Sequence, residues 1–62
     1  MSYYSTLGVS SNATPQEIKK AYKKASMQHH PDRGGNSNEF VKIQEAYETL
    51  RDPAKKQQYD NP

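Results

Sequence analysis

The sequence predicts an all-α fold in which two long antiparallel helices form a hairpin, with a short helix at each end. Two stretches repeat apolar residues every three or four positions, the spacing that places side chains on one face of a helix. A capping residue precedes proline at Thr14-Pro15 and again at Asp52-Pro53, which is typical of a helix start. No stretch alternates apolar and polar residues as a strand would. With 62 residues, we expect one domain over residues 1–62.

The first helix is predicted in the aromatic stretch that begins at Tyr3 and ends at Leu7. Gly8 follows it, and glycine can adopt the left-handed conformation that closes a helix. Val9 can then fold back towards Tyr4. We therefore expect roughly one or two helical turns in this stretch.

The second helix is predicted over residues 16–29. Thr14 can cap it, and Glu17, three positions on, can complete a capping box. Its apolar face consists of Ile18, Ala21, Ala25 and His29, with Tyr22 at the edge. Met27 lies away from that face, so we expect it to be half exposed.

A loop with two glycines separates the long helices. Proline disfavours helical geometry in the residue before it, so Pro31 should end the second helix near His30. Glycine tolerates many backbone conformations, so we expect Gly34 and Gly35 to leave the loop a free path.

The third helix is predicted over residues 38–51, after a possible cap at Asn36. Glu39 lies three positions beyond Asn36 and could complete a second capping box. The apolar stripe of this helix consists of Phe40, Ile43, Ala46, Tyr47 and Leu50. We expect its large side chains to form the core.

The fourth helix is predicted after the Asp52-Pro53 start and extends to Tyr59. It has room for about two turns. Tyr59 is its only large apolar residue, so we expect this ring to hold the helix against the rest of the fold.

Composition argues against several classes of function. The chain has no cysteine, which excludes a disulfide framework and a thiolate zinc site. It has neither an apolar run of about 18 residues, as a membrane span requires, nor the regions of a signal peptide. We therefore expect a soluble, cytoplasmic protein without a cofactor or a membrane partner. So small a chain buries only about 60% of its unfolded surface, which leaves little room for an enzyme's pocket.

The net charge of +2 conceals a basic segment. Residues 15–29 carry one glutamate and four lysines: Lys19, Lys20, Lys23 and Lys24. Residues 38–51 carry three acidic and two basic side chains. The basic segment could bind nucleic acid, a membrane surface or an acidic protein face.

The tripeptide His30-Pro31-Asp32 lies at the predicted tip of the hairpin. A polar motif in this position favours a contact point over a catalytic pocket. His30 could instead cap the preceding helix, and Asp32 could bond to the loop backbone. A metal site at His29-His30 is rejected, because adjacent helical residues do not face the same direction. An enzyme that uses this histidine and aspartate lacks a nearby nucleophile or oxyanion site.

Taken in order, these segments resemble the J-domain, the co-chaperone module of the DnaJ family. The shared motifs span nearly the whole chain: Tyr3-Tyr4-x-x-Leu7-Gly8-Val9, Ile18-Lys19-Lys20-Ala21-Tyr22-Lys23-Lys24, His30-Pro31-Asp32-Arg33, Phe40-x-x-Ile43-x-x-Ala46-Tyr47-x-x-Leu50, Asp52-Pro53 and Lys55-Lys56-x-x-Tyr59-Asp60. The resemblance implies a J-domain fold, with the His-Pro-Asp loop at the tip of the hairpin.

The resemblance also implies a function. J-domains bind a DnaK-type heat-shock chaperone at its nucleotide-binding domain and interdomain linker, stimulate its ATP hydrolysis and so promote client capture. They have no catalytic residues of their own. The positions that match partner-binding residues are Lys19, Tyr22, Lys23, Lys24, His30, Pro31, Asp32 and Arg33. We expect a monomer without specific nucleic-acid binding. The alternative is a small basic helical module that binds nucleic acid through its lysines, although few side chains on that helix suit base edges.

Four positions depart from the family pattern. Ala25 stands where a leucine is usual, and His29 stands where an aromatic residue is usual, so we expect a thinner core. Gln28 occupies a commonly basic position. Val41 occupies a position in the third helix that is commonly charged. This puts in doubt the contribution of that position to partner binding, and it predicts an exposed apolar side chain.

Overall fold

The computed structural model describes residues 2–30, 32 and 34–62, and within these ranges every regular element is helical. The helices are α1 (Tyr3–Leu7), α2 (Pro15–Gln28), α3 (Ser37–Arg51) and α4 (Pro53–Asp60). The all-α prediction is confirmed. Both ends of each predicted long helix lie within one residue of the observed bounds. None of these helices is long and apolar enough to span a membrane.

The α2–α3 hairpin is antiparallel. The ring of Tyr22 stacks on that of Tyr47, and the ring of His30 contacts that of Phe40. The later residue on the α2 side, His30, pairs with the earlier residue on α3, Phe40. The two helices therefore run in opposite directions. This arrangement places the connecting loop at one end of the hairpin, as predicted.

Polar side chains cap the start of every helix. Thr14 Oγ1 accepts a hydrogen bond from Glu17 N–H at 3.2 Å, and Thr14 N–H donates to Glu17 Oε1 at 2.9 Å, which confirms the capping box. Hydrogen bonding of the Glu17 carboxylate, first to the Thr14 backbone and then to the Thr14 side chain, lowers the pKa of Glu17. The Asn36 side chain caps α3 by accepting hydrogen bonds from the N–H groups of Asn38 and Glu39. Glu39 makes no return bond among the described contacts, and lies instead 3.7 Å from Lys42 Nζ.

The core is small and lies towards one end of the hairpin. Its buried members are Tyr4, Leu7, Ile18, Ile43, Ala46 and Leu50. Because α3 packs against all three other helices, it supplies half of these side chains. The core prediction is wrong for Phe40, which is half-buried and lies outside this cluster.

Three of the positions that depart from the family pattern are partly or largely exposed. Ala25 is half-buried, and beside it lies an open groove of about 300 Å³, which agrees with the expected thin core. The groove is lined by Leu7, Gly8, Ala21, Lys24, Ala25 and Gln28. Val41 and Met27 are each 60% exposed, as predicted. His29 is half-buried and ends α2, its N–H donating to Ala25 O at 3.1 Å.

Three tyrosines join α1 to α4. Tyr59 is half-buried, stacks on Tyr3 with ring centroids 4.6 Å apart, and accepts a hydrogen bond from Tyr3 N–H at 2.9 Å. Tyr4 donates its hydroxyl to Asp60 Oδ1 at 2.6 Å, and Lys56 Nζ lies 3.0 Å from Asp60 Oδ2. The predicted role of Tyr59 is therefore confirmed, and Tyr4 and Asp60 share it.

The contacts between α1 and α4 shift the pKa values of Tyr4, Lys56 and Asp60. Burial, followed by the bond to Asp60, raises the pKa of Tyr4. The Tyr4 hydroxyl, followed by the Lys56 ammonium, lowers the pKa of Asp60. The bond to Asp60 raises the pKa of Lys56. Each shift favours the protonation state that makes these bonds, so the contacts stabilise the fold near neutral pH.

Candidate functional site

The loop at the tip of the hairpin holds His30 by two hydrogen bonds. Its Nδ1 accepts a bond from Asp32 N–H at 3.2 Å, and its carbonyl accepts one from Gly35 N–H at 3.0 Å. The imidazole also lies at the edge of Phe40, with ring centroids 5.4 Å apart and planes inclined by 72°. Such edge-to-face pairs contribute about 0.5–1.5 kcal/mol beyond burial. Phe40 therefore supports the loop rather than the core.

The two polar side chains of the tripeptide face solvent to different degrees. The His30 side chain is 44% exposed and that of Asp32 is 90% exposed. Their Nδ1 and Oδ2 atoms are 3.8 Å apart, which is too far for a hydrogen bond. Nδ1 already accepts from the Asp32 backbone, so Nε2 is the ring nitrogen that remains available to a partner. Asp32 thus presents a carboxylate that can accept charge-assisted bonds from an arginine or a lysine.

The glycine turn uses the conformational freedom predicted for it at Gly34, but it is packed rather than free at Gly35. Gly34 has a φ of +79°, a left-handed conformation that side chains rarely adopt. A Cβ built at Gly35 would lie 2.5 Å from the carbonyl oxygen of His29 and 2.6 Å from its Cα. The turn is therefore packed directly against the end of α2.

The lysines form a solvent-exposed basic face on α2. Lys19, Lys20, Lys23 and Lys24 are all exposed. None of them takes part in an ion pair within the described parts of the chain. Lys19, Lys20 and Lys23 also line a shallow surface groove together with Gln16. This face can attract an acidic surface without first breaking an internal ion pair.

Tyr22 packs between α2 and α3, and its side chain is also partly exposed. Its ring is half-buried and lies parallel to that of Tyr47, with centroids 4.1 Å apart and an interplanar angle of 8°. The Arg51 guanidinium lies 5.7 Å from the Tyr47 centroid on α3. The sequence left Tyr22 open between core and contact, and the structure shows it packed against the core with one part exposed.

The structure brings together some of the predicted site residues. His30 and Asp32 are adjacent at the tip, with Ser26 and Met27 lining the same surface groove of about 340 Å³. Lys19, Lys23 and Lys24 extend from there along α2. Pro31 and Arg33 lie outside the described residues. Among the residues described, no three His, Cys, Asp or Glu side chains are placed to hold a metal ion.

Sequence reasoning missed the residues that support the site. Phe40 was assigned to the core, although its position at the start of the apolar stripe, next to the loop, was a signal for a loop contact. The close approach of Gly35 to His29 had no local signal, because it depends on the path of the whole turn.

Comparison with known proteins identifies the family. The DnaJ domain family matches residues 2–60. The chain is 55% identical over 58 residues to "DnaJ protein homolog 2" of Allium porrum and 48% identical over 58 residues to "Chaperone protein dnaJ 3" of Arabidopsis thaliana. Each alignment covers 94% of this chain and 14% of the relative. "Chaperone protein DnaJ" of Listeria monocytogenes serotype 4b is 54% identical over 61 residues, covering 94% of this chain and 16% of its own. Since the match extends over almost every described residue, from α1 to the end of α4, the chain belongs to the DnaJ domain family.

Proposed function

We propose that this chain is a co-chaperone module that binds a DnaK-type heat-shock chaperone and stimulates its ATP hydrolysis, promoting client capture. The observation that carries the proposal is the Asp32 carboxylate, 90% exposed at the tip of the hairpin beside the constrained His30. A short, exposed carboxylate on an ordered turn suits a charge-assisted bond to a cationic side chain of the partner. Membership of the DnaJ domain family supports this choice of partner.

The basic face of α2 supplies the electrostatic attraction to the chaperone. Lys19, Lys23 and Lys24 are exposed and extend from the loop along the helix. Charges of this kind raise the association rate with an acidic surface more than they raise affinity. Tyr22, Pro31 and Arg33 complete the proposed contact surface. The partner region is the nucleotide-binding domain and interdomain linker.

Stimulation requires no chemistry from this chain. The partner hydrolyses ATP, and this chain changes the rate by binding one conformational state of the partner more tightly than another. A tenfold stimulation corresponds to about 1.4 kcal/mol of differential binding to the transition state. One or two charged hydrogen bonds at His30 and Asp32 have that magnitude, at about 1.5–3 kcal/mol each.

A single-turnover ATPase assay with a DnaK-type chaperone tests the proposal. The wild-type chain is expected to accelerate hydrolysis, while His30→Gln and Asp32→Asn lose the acceleration. Glu48→Gln is the matched control, because Glu48 is an exposed carboxylate on α3 away from the loop. Equal stimulation by the wild type and by both loop variants contradicts the assignment of the site.

The second candidate function is non-specific nucleic-acid binding, favoured by the four exposed lysines outside any described ion pair. Four phosphate contacts predict a slope of about −3.6 for log affinity against log salt on duplex DNA. Fluorescence anisotropy with a labelled duplex measures this slope directly. A lack of binding at low salt excludes this candidate.

A further inference from the structure

We propose that the double-glycine turn positions His30, with Gly35 fixing the turn against the end of α2. This inference rests on the proposed function, since it concerns the same loop. It assigns a positioning role to Gly34 and Gly35, two residues that do not need to touch the partner.

The tip of the hairpin has little core to hold it. None of the described residues between positions 19 and 42 is buried, and the buried cluster begins again only at Ile43. His30 must therefore be held in place by local contacts. The contacts present are the ring of Phe40 against His30 and the hydrogen bonds that His30 accepts.

Gly35 contributes one of these hydrogen bonds and the close packing that permits it. Its N–H donates to the carbonyl of His30 at 3.0 Å. The backbone of His29 occupies the space in which any side chain at position 35 would lie. Only glycine allows this approach, and the approach brings the N–H within bonding distance.

Gly34 contributes backbone conformation alone. Its φ is +79°, and a Cβ built there meets no atom within 4 Å. A substitution at this position therefore changes the population of the turn without a steric clash. The left-handed penalty of an alanine lowers the equilibrium constant for forming this turn by about tenfold, so the population of the turn falls by at most about that factor.

The closed turn determines what His30 can present to a partner. The backbone N–H of Asp32 donates to Nδ1, so Nε2 is the ring nitrogen that a partner can contact. A turn already in this form loses less entropy on binding. When the competent form is only partly populated, the apparent dissociation constant rises by the same factor.

Gly34→Ala and Gly8→Ala form a matched pair for the test. Gly8 has a φ of +73° and open space around it, so the penalty is the same but lies at the end of α1. We expect Gly8→Ala to lower Tm at least as much as Gly34→Ala and to leave stimulation unchanged. Gly34→Ala should raise the concentration for half-maximal ATPase stimulation by up to about tenfold, with the same maximum.

A measurement without the partner separates this inference from the proposed function. Hydrogen exchange followed by NMR should show that the Asp32 and Gly35 amides are protected in the wild type and in Gly8→Ala. In Gly34→Ala and Gly35→Ala the amides of residues 32 and 35 should exchange faster. If the wild type stimulates no chaperone, the proposed function fails and the NMR comparison alone decides the role of the turn. Wild-type amide protection in both loop variants, or unchanged half-saturation in Gly34→Ala, overturns the inference.

Discussion

Replacing Ala25 with leucine should stabilise the protein by filling the groove between α1 and α2. Ala25 is half-buried and lines an open groove of about 300 Å³, whose apolar walls include Leu7 and Ala21. Leucine adds three carbon atoms, and each fully buried CH₂ contributes about 0.8 kcal/mol. The groove is open to solvent, so roughly half of that gain is expected, or about 1 kcal/mol. For a domain of this size, 1 kcal/mol raises Tm by about 4–8 °C.

Thermal unfolding followed by circular dichroism provides the assay, with Ala54→Leu as its control. Ala54 is an exposed alanine in α4, so the same change of side chain there buries little surface. Its effect on the free energy of unfolding should lie within about 0.5 kcal/mol. A lower Tm in Ala25→Leu would refute the reasoning, because it would mean that the added atoms overpack the site.

Three further predictions concern other contacts of the fold. Reversing the charge at Lys19 and Lys23 should slow association with the chaperone and flatten its dependence on salt in stopped-flow measurements, and unchanged kinetics would mean a merely solvated face. Tyr47→Leu should destabilise the protein by about 0.5–1.5 kcal/mol more than Tyr47→Phe, because only phenylalanine preserves the ring stack on α2; equal losses in urea unfolding would contradict this. The free energy of unfolding should be nearly constant between about pH 4 and pH 10 and should fall on either side. The raised pKa of Tyr4 stabilises the fold below about pH 10 and is lost above it, whereas the lowered pKa of Asp60 stabilises the fold above about pH 4 and is lost below it. Tyr4→Phe should flatten the alkaline limb in urea titrations, and an unaltered limb would argue against the hydroxyl contact.

The features that the sequence predicted well are local. The Thr14 capping box involves residues three positions apart, so the pattern of side chains is sufficient to predict it. The apolar stripe on α3 follows from the helical period alone. The His30-Pro31-Asp32 motif and its place between two helices were likewise evident from order and spacing.

The features that the sequence did not predict depend on tertiary structure. The hydrogen bond from Tyr3 N–H to Tyr59 joins residues 56 positions apart, and no local pattern connects them. Phe40 follows the apolar period of α3, but the period cannot reveal that the buried part of this helix begins only at Ile43. Gly35 looked like a source of freedom, although the path of the turn makes it a point of close packing.

The most direct test of the central claim compares Asp32→Asn with the wild type in single-turnover ATP hydrolysis by a DnaK-type chaperone. The substitution removes a charge from a side chain that is 90% exposed, so helical content and Tm should not change. Loss of a charged hydrogen bond of about 1.5–3 kcal/mol predicts a rise of more than tenfold in the concentration for half-maximal stimulation. Stimulation by Asp32→Asn equal to that of the wild type, at the same concentrations, would contradict the claim.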